Sequence, residues 1–293
     1  MIGIDWGTSS LRAWRLAPDG AVIEARASAR GIMTIPEGGF EAVVREVVAD
    51  WLAAGETQVL LCGMVGSRQG WVEAPYLPCP AGIDEIAARL IRVEFADAEA
   101  MIVPGLVTID GDGVPDIMRG EETQILGVAA NVGARITVCL PGTHSKWASI
   151  AGGRIERFNT FMTGEVFAAL SAHTILARTI RPGPVDPAAF ADGVARAREP
   201  GGLLHHAFGV RTRALRGGIG EAESYAYLSG LLIGHELNAA LDDQAGVVAV
   251  VGASALADLY VAAIRARGGE ARAMDEATGA IGLAQLGMRA KWS

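Results

Sequence analysis

Two stretches of this chain, 135 residues apart, repeat one order of elements, and no other feature restricts the available folds as much. The chain opens on an apolar strand, passes the Gly-Thr turn at Gly7 and Thr8, runs a second strand from Ser10 to Leu16, turns at Pro18-Asp19-Gly20 and enters a third strand from Ala21. From Arg135 the order returns: a strand to Leu140, a Gly-Thr turn at Gly142 and Thr143, a strand from Lys146 to Ile150, a turn at Gly152-Gly153 and a strand from Arg154 to Phe161. One Gly-Thr match is common. A match that includes the strand before, the two strands after and the second turn predicts two related lobes, each a meander followed by helices, facing one another across a central cleft. The first lobe is expected over 1–110, joined by a C-terminal helix within 278–293, and the second over 111–277.

Periodicity adds strands at 22–29, 59–61 and 136–140, and helices at 40–53, 121–131, 164–177, 223–241 and 255–267. The class is therefore α/β, with irregular stretches expected at 63–82 and 180–220. At 51% hydrophobic and 20% charged residues, the chain has material for a large core and excludes a disordered class. No uncharged run approaches the ~20 residues of a membrane span, and no basic-then-apolar start suggests a leader. A cytoplasmic protein without a membrane partner is the expectation. The 33 acids against 25 bases leave a net charge of −8 and no basic stripe, which argues against nucleic acid. Cys62, Cys79 and Cys139 fit neither a disulfide framework nor a zinc knuckle and read as buried thiols. The only lysines, Lys146 and Lys291, do not follow glycine, so nucleotide handling would proceed without a P-loop. A homodimer is among the assembly states the sequence leaves open.

Four segments carry candidate chemistry. In Asp5-Trp6-Gly7-Thr8-Ser9-Ser10, backbone N–H groups and three hydroxyls make an anion nest. Asp5 beside it would repel bare phosphate but suits magnesium bridging phosphate oxygens. The second turn, Pro141 to Trp147, has no acid; Gly142, Thr143, His144, Ser145 and Lys146 offer a cradle of positive character. Glu121 and Glu122 open a helix, where the macrodipole alone would favour them; the sharper reading gives them a general base and a contact toward magnesium. Gly252-Ala253-Ser254 lies between a strand and a helix, a place for a ring or a phosphate. His235-Glu236 lacks the second histidine of a zinc protease, since Ala239 follows four residues on, and His205-His206 reads as a solvated loop.

Taken in order, these segments resemble the phosphate, connecting and adenosine motifs of the actin-like ATPase (ribonuclease H-like) and sugar-kinase superfamily. More narrowly, Leu140-Pro141-Gly142-Thr143-His144-Ser145-Lys146-Trp147, Arg119-Gly120-Glu121-Glu122-Thr123-Gln124, Phe161 to Glu165 and Leu228 to Glu236 resemble the 2-dehydro-3-deoxygalactonokinase family. The resemblance implies a two-lobed fold with a central cleft, and transfer of phosphate from ATP, with Mg2+, to the 6-hydroxyl of 2-dehydro-3-deoxy-D-galactonate, a small-molecule sugar acid. It assigns Asp5, Glu121, Glu122 and Lys146 to catalysis, with Glu122 favoured as base and Asp5 and Glu121 toward the metal. Gly7, Thr8, Ser9, Gly142, Thr143, His144 and Ser145 are expected on the phosphates, Gly252, Ala253 and Ser254 on adenosine. Arg12, Arg68, Trp71, Arg119 and Glu165 are expected on the acid substrate, whose carboxylate suits guanidinium. The rivals are another sugar or sugar-acid kinase of this fold, an exopolyphosphatase-like phosphohydrolase, and a non-enzymatic filament or regulatory protein.

Overall fold

The computed structural model describes residues 1–129, 135–241, 246–252, 254–275 and 277–293. In chain order the elements are β1 (Ile2–Trp6), β2 (Leu11–Leu16), β3 (Val22–Ser28), α1 (Phe40–Ala53), β4 (Gln58–Cys62), β5 (Tyr76–Pro78), β6 (Ala81–Gly82), α2 (Ile83–Ala87), β7 (Ile91–Val93), β8 (Glu99–Ile102), β9 (Gly105–Ile109), β10 (Pro115–Met118) and α3 (Glu121–Ala129). There follow β11 (Arg135–Leu140), β12 (Ser145–Ala151), β13 (Arg154–Phe161), α4 (Thr163–His173), α5 (Pro187–Arg196), α6 (Gly202–Leu215), α7 (Glu221–Ala240), β14 (Val248–Val251), α8 (Ser254–Ala266), β15 (Ala271–Met274) and α9 (Thr278–Arg289). No helix among the described residues is long and apolar enough to cross a membrane. Contacts divide the chain into two compact units, one of Met1–Ile136, Ala148–Phe158 and Asp275–Ser293, the other of Thr137–Trp147 and Asn159–Met274. The sequence reading drew its line near residue 110; by contacts, α3 is grouped with the first unit.

In the first unit a six-stranded sheet runs β3-β2-β1-β4-β8-β7. Its centre is mixed: β1 is antiparallel to β2 and parallel to β4. Ile2, Gly3 and Ile4 are buried in succession rather than alternately, as in a strand covered on both faces. On α1, Phe40, Val43, Val44, Val48 and Trp51 follow helical spacing and pack with Ile4 and Leu61 in one core. Helix α9 packs on β1 and on α3. The α3–α9 crossing depends on two glycines: a Cβ at Gly127 would fall 1.9 Å from the Thr278 carbonyl, and one at Gly282 would fall 1.9 Å from that of Thr123. A smaller sheet, β10-β9-β5, also belongs to this unit.

In the second unit β11 is parallel to β14, and β14 to β15. Helix α7 is buried along most of its length, with Leu228, Leu231, Leu232 and Leu237 in a core shared with Val250, Tyr260 and Ile264. Its crossing with α5 again relies on small residues, since a Cβ at Gly230 would sit 2.0 Å from the Phe190 carbonyl. The stretch 180–220, expected to be irregular, holds α5 and α6. Asp186 caps α5 by accepting from Ala189 N–H (2.8 Å), with Pro187 in the first turn, a start signal that the sequence reading passed over. His205 and His206 are accordingly helical, not loop: His206 is 1% exposed and bonded to His235 (3.0 Å) and to the Pro200 carbonyl (3.1 Å). Helix α4 also ends earlier than the expected 177, giving way to a short 3-10 turn at Ile175–Arg178. Of the three thiols, Cys62 and Cys139 are buried and Cys79 is half-buried.

Candidate active site

Asp5 lies one residue before the end of β1, opposite Arg12 on β2 and Cys62 on β4. Gly7 N–H donates to the Ser10 carbonyl (2.9 Å) and closes the hairpin. Ile32 N–H and Met33 N–H donate to the Gly7 and Thr8 carbonyls (3.0 and 3.4 Å) and pin the turn, while Thr8, Ser9 and Ser10 stay exposed. Two glycines in left-handed conformation clear the space beside Asp5: Gly63 at φ +91° and Gly120 at φ +105°. A Cβ at Gly63 would meet Asp5 Oδ1 at 3.0 Å, and one at Gly120 would meet Gly63 Cα at 3.0 Å. That approach brings the start of α3 to the carboxylate. There Glu121 Oε2 accepts from Arg119 N–H (3.0 Å), and both oxygens of Glu122 accept from Gly120 N–H (2.9 and 2.7 Å).

Burial lifts the Asp5 carboxyl to about 6; Arg12 pulls against this and Glu121 pushes the same way. Glu122 is 0% exposed, and burial first and Glu121 second push its carboxyl well up. Glu121 keeps partial exposure. Arg119 is 8% exposed, with Nη2 donating to the Ala74 carbonyl (2.7 Å) and the guanidinium 4.3 Å over the Tyr76 ring. Its Nε and Nη1 find no acceptor, nor does the neighbouring loop's Ser67 Oγ find a partner.

In the second unit the turn after β11 abuts the start of α4. Glu165 N–H donates to the Thr143 carbonyl (3.0 Å), and a Cβ at Gly164 would fall 2.5 Å from the Gly142 carbonyl. His144 Nε2 lies 2.5 Å from Glu165 Oε2, both side chains half exposed. Ser145 is 0% exposed, and Lys146, next along β12, is 5% exposed. Beside the turn opens an apolar pocket whose wall includes Gly142, Phe167, Val185, Tyr225, Leu256 and Tyr260. Gly252, at φ +153°, borders Pro141: a Cβ there would lie 3.6 Å from its carbonyl.

A family model described as 2-keto-3-deoxy-galactonokinase matches residues 5–286. The chain belongs to this family. Among its relatives, a Rhizobium meliloti protein named "Probable 2-dehydro-3-deoxygalactonokinase" is 43% identical over 279 residues, 93% of this chain and 91% of its own. An Escherichia coli 2-dehydro-3-deoxygalactonokinase is 35% identical over 269 residues, 91% and 90% of the two chains. The crystal structure of a Sinorhizobium meliloti protein described in the same terms superposes with a TM-score of 0.90 at 41% identity, covering 97% of each chain. A Clostridium difficile activator of 2-hydroxyisocaproyl-CoA dehydratase, 13% identical and covering 98% of this chain and 94% of its own, shares the fold at a TM-score of 0.51. The fold is the α/β actin-like ATPase and sugar-kinase fold.

Against the family's motifs, the residues singled out from sequence fall into three groups. Asp5, Arg12, Glu121 and Glu122 converge at the ends of β1, β2 and the start of α3, and Gly142, Thr143, His144 and Glu165 at the second turn. Some point elsewhere. Ser145 gives its hydroxyl to Glu236 (2.8 Å) inside the unit rather than to the turn's outer face. Glu165 is the partner of His144. Trp71 packs on the first unit's core, edge-to-face with Phe95 at 6.1 Å. Arg68 is 88% exposed, with Glu73 at 3.7 Å. Ala253 lies outside the described residues, and Ser254 opens α8. The sequence reading missed Glu236, Phe167, Tyr225 and Tyr260. Glu236 had one available signal: Ser145 and Trp147, two apart on a strand, place polar donors on one face that needs an acceptor.

Proposed function

We propose that this chain transfers the terminal phosphate of ATP to the 6-hydroxyl of 2-dehydro-3-deoxy-D-galactonate, giving the 6-phosphate, in the cytoplasm. The match of the family model over residues 5–286, which spans all four motif segments, carries the reading. The site's chemistry supports it. Phosphoryl transfer asks for positioning and charge neutralisation more than for covalent chemistry. The second unit offers a Gly-Thr turn next to an apolar pocket suited to a nucleobase.

Magnesium fits the first unit's donors. Asp5 and Glu121 are close enough that Glu121 raises the Asp5 carboxyl, a like-charge pair that a divalent cation would relieve. Among the described residues no cluster of three or more His, Cys, Asp or Glu could hold a metal. Magnesium, unlike zinc, is commonly held by one or two carboxylates together with substrate phosphates. Asp5 would hold it, with the exposed Thr8, Ser9 and Ser10 toward the phosphates. When bound, the ion would neutralise phosphate charge.

In the transfer, the hydroxyl oxygen bonds to the terminal phosphorus, the bond to the ADP oxygen breaks, and the hydroxyl proton passes to a carboxylate. Burial favours Glu121 as that acceptor. Glu122, preferred on sequence grounds, is sealed, with both oxygens on Gly120 N–H, and so orients the 119–121 segment. Lys146, which the sequence assigned to neutralising the transferred group, is 5% exposed on β12, and burial counts against that role as it does for Glu122. Of the three guanidinium candidates for the substrate carboxylate, Arg119 is favoured, because Nε and Nη1 retain unused donors.

Coupled detection of ADP with 2-dehydro-3-deoxy-D-galactonate, its gluconate epimer and a panel of neutral sugars tests this. Turnover that strongly prefers the galactonate acid is expected. Preference for a neutral sugar, or ADP release without an acceptor, would overturn it.

A further inference from the structure

Glu236 lies on α7, 3% exposed, and the transfer as described gives it no task. Its Oε1 accepts from Ser145 Oγ (2.8 Å) and Trp147 Nε1 (2.6 Å), and its Oε2 accepts from Tyr260 Oη (2.7 Å). Ser145 and Trp147 stand on the same face of β12; Tyr260 comes from α8 and also lines the apolar pocket. A carboxylate only accepts and an indole N–H only donates, so the direction of these bonds is fixed. Burial and the charge of Glu236 push the Tyr260 hydroxyl far up, which keeps its proton in place as donor. A buried carboxylate met by neutral donors stabilises a core no better than apolar packing of the same volume. Its contribution here is therefore sought in geometry.

We propose that Glu236 is a positioning residue for nucleotide. It ties the start of β12, and with it the Gly142–His144 turn, to Tyr260 on the pocket wall, so that the group holding phosphate and the group holding the base keep one separation. The inference rests on the reading of this unit as the nucleotide site. The tether is short: only Thr143 and His144 separate Gly142, itself a pocket residue, from Ser145, a reach of at most ~11 Å of chain. Adenosine needs the pocket alone and is indifferent to that separation. ADP needs the pocket and the turn together.

The test is calorimetric binding of adenosine and of ADP to the full chain, for the parent, Glu236→Gln and Ser145→Ala, with steady-state kinetics alongside. In Glu236→Gln an amide N–H replaces the acceptor of Tyr260, and in Ser145→Ala the link from the turn is cut while Glu236 stays. Each variant is expected to weaken ADP about three- to tenfold, the scale of one net hydrogen bond, with adenosine within about twofold. KM for ATP should rise and KM for the sugar acid should stay. A purely structural role would instead lower the active fraction and leave both KM values and the ADP-to-adenosine ratio unchanged, and that result overturns the proposal. Should Glu236→Gln melt early, Ser145→Ala alone carries the same comparison. A parent that binds neither ligand overturns the nucleotide reading of the unit and this inference with it; a parent that binds ADP beside variants with an unchanged ratio overturns the inference alone.

Discussion

The two Gly-Thr hairpins share an order of strands and turns, and differ in what stands at each corresponding position. Counting 135 residues on, Asp5 becomes Leu140, Ser10 becomes Ser145 and Arg12 becomes Trp147. In the first hairpin a carboxylate, Asp5, stands one residue before the end of the strand, and the hydroxyls of the turn are exposed. In the second the strand ends in an apolar residue, Ser145 is 0% exposed, and the serine and tryptophan both serve Glu236. One backbone pattern therefore holds two arrangements: in the first a carboxylate stands beside the exposed hydroxyls, and in the second the serine and tryptophan turn inward to a buried acid while Glu165 meets His144 outside.

The largest expected effect tests the acidic side. Asp5→Asn should lower turnover by ~10²- to 10⁴-fold, the usual scale for removing a group from the chemistry, and yet raise the melting temperature near pH 7–8. The sign follows from the raised carboxyl. A folded-state value of about 6 against 3.8 means that the fold binds the proton more tightly than the unfolded chain. Asp5 thus stabilises as pH falls from about 6 toward 3.8 and costs stability above about 6, at most ~3 kcal/mol. Asparagine removes that cost. A variant that loses turnover and also melts earlier would show that Asp5 is structural, and the contrast between the hairpins would collapse.

Next comes the pair at α3. Glu121→Gln should lower kcat by ~10²-fold or more. Glu122→Gln should lower it far less, because its oxygens already serve the Gly120 N–H. Turnover of the two variants with matched melting curves decides; equal losses would return Glu122 to the role of base.

A third variant probes the other hairpin. In Gly164→Ala the new methyl would lie 2.5 Å from the Gly142 carbonyl and 2.8 Å from Thr143 Cα, so the turn must shift. KM for ATP is expected to rise roughly tenfold, the scale of ~1.4 kcal/mol, with KM for the sugar acid unchanged. An equal rise in both would mean that the two hairpins do not divide their ligands.

The smallest effect concerns His206 and His235. Burial and then His206 lower the His235 value below 6.5, so the unfolded chain takes up a proton first as pH falls. Stability should decline as pH falls below 6.5. Melting curves from pH 7 to 5.5 should lose less stability toward low pH in His235→Gln than in the parent, the raised Asp5 and Glu122 carboxyls being common to both; an unchanged slope would exclude the pair as its source.

The sequence by itself determined the elements and the motif turns. The helix Phe40–Ala53 lies at the bounds read from periodicity and the strand Arg154–Phe161 at those read from the echo of the first hairpin, because apolar spacing and Gly or Pro punctuation are local properties, whereas the helix Thr278–Arg289 was expected from the family resemblance. The helices of 180–220 were missed although Asp186-Pro187 marks a start, since the mixed face of α6, with Leu204, Phe208 and Leu215 exposed, blurs the period. Tertiary structure alone decided which polar groups face outward. Ser10 is exposed, while Ser145 is buried against a partner 91 residues away on α7, a distance no local pattern spans. Nor could two adjacent glutamates reveal which one burial would seal, because desolvation depends on what packs around a carboxyl, and for Glu122 that includes Cys62 on β4, which the fold brings to it.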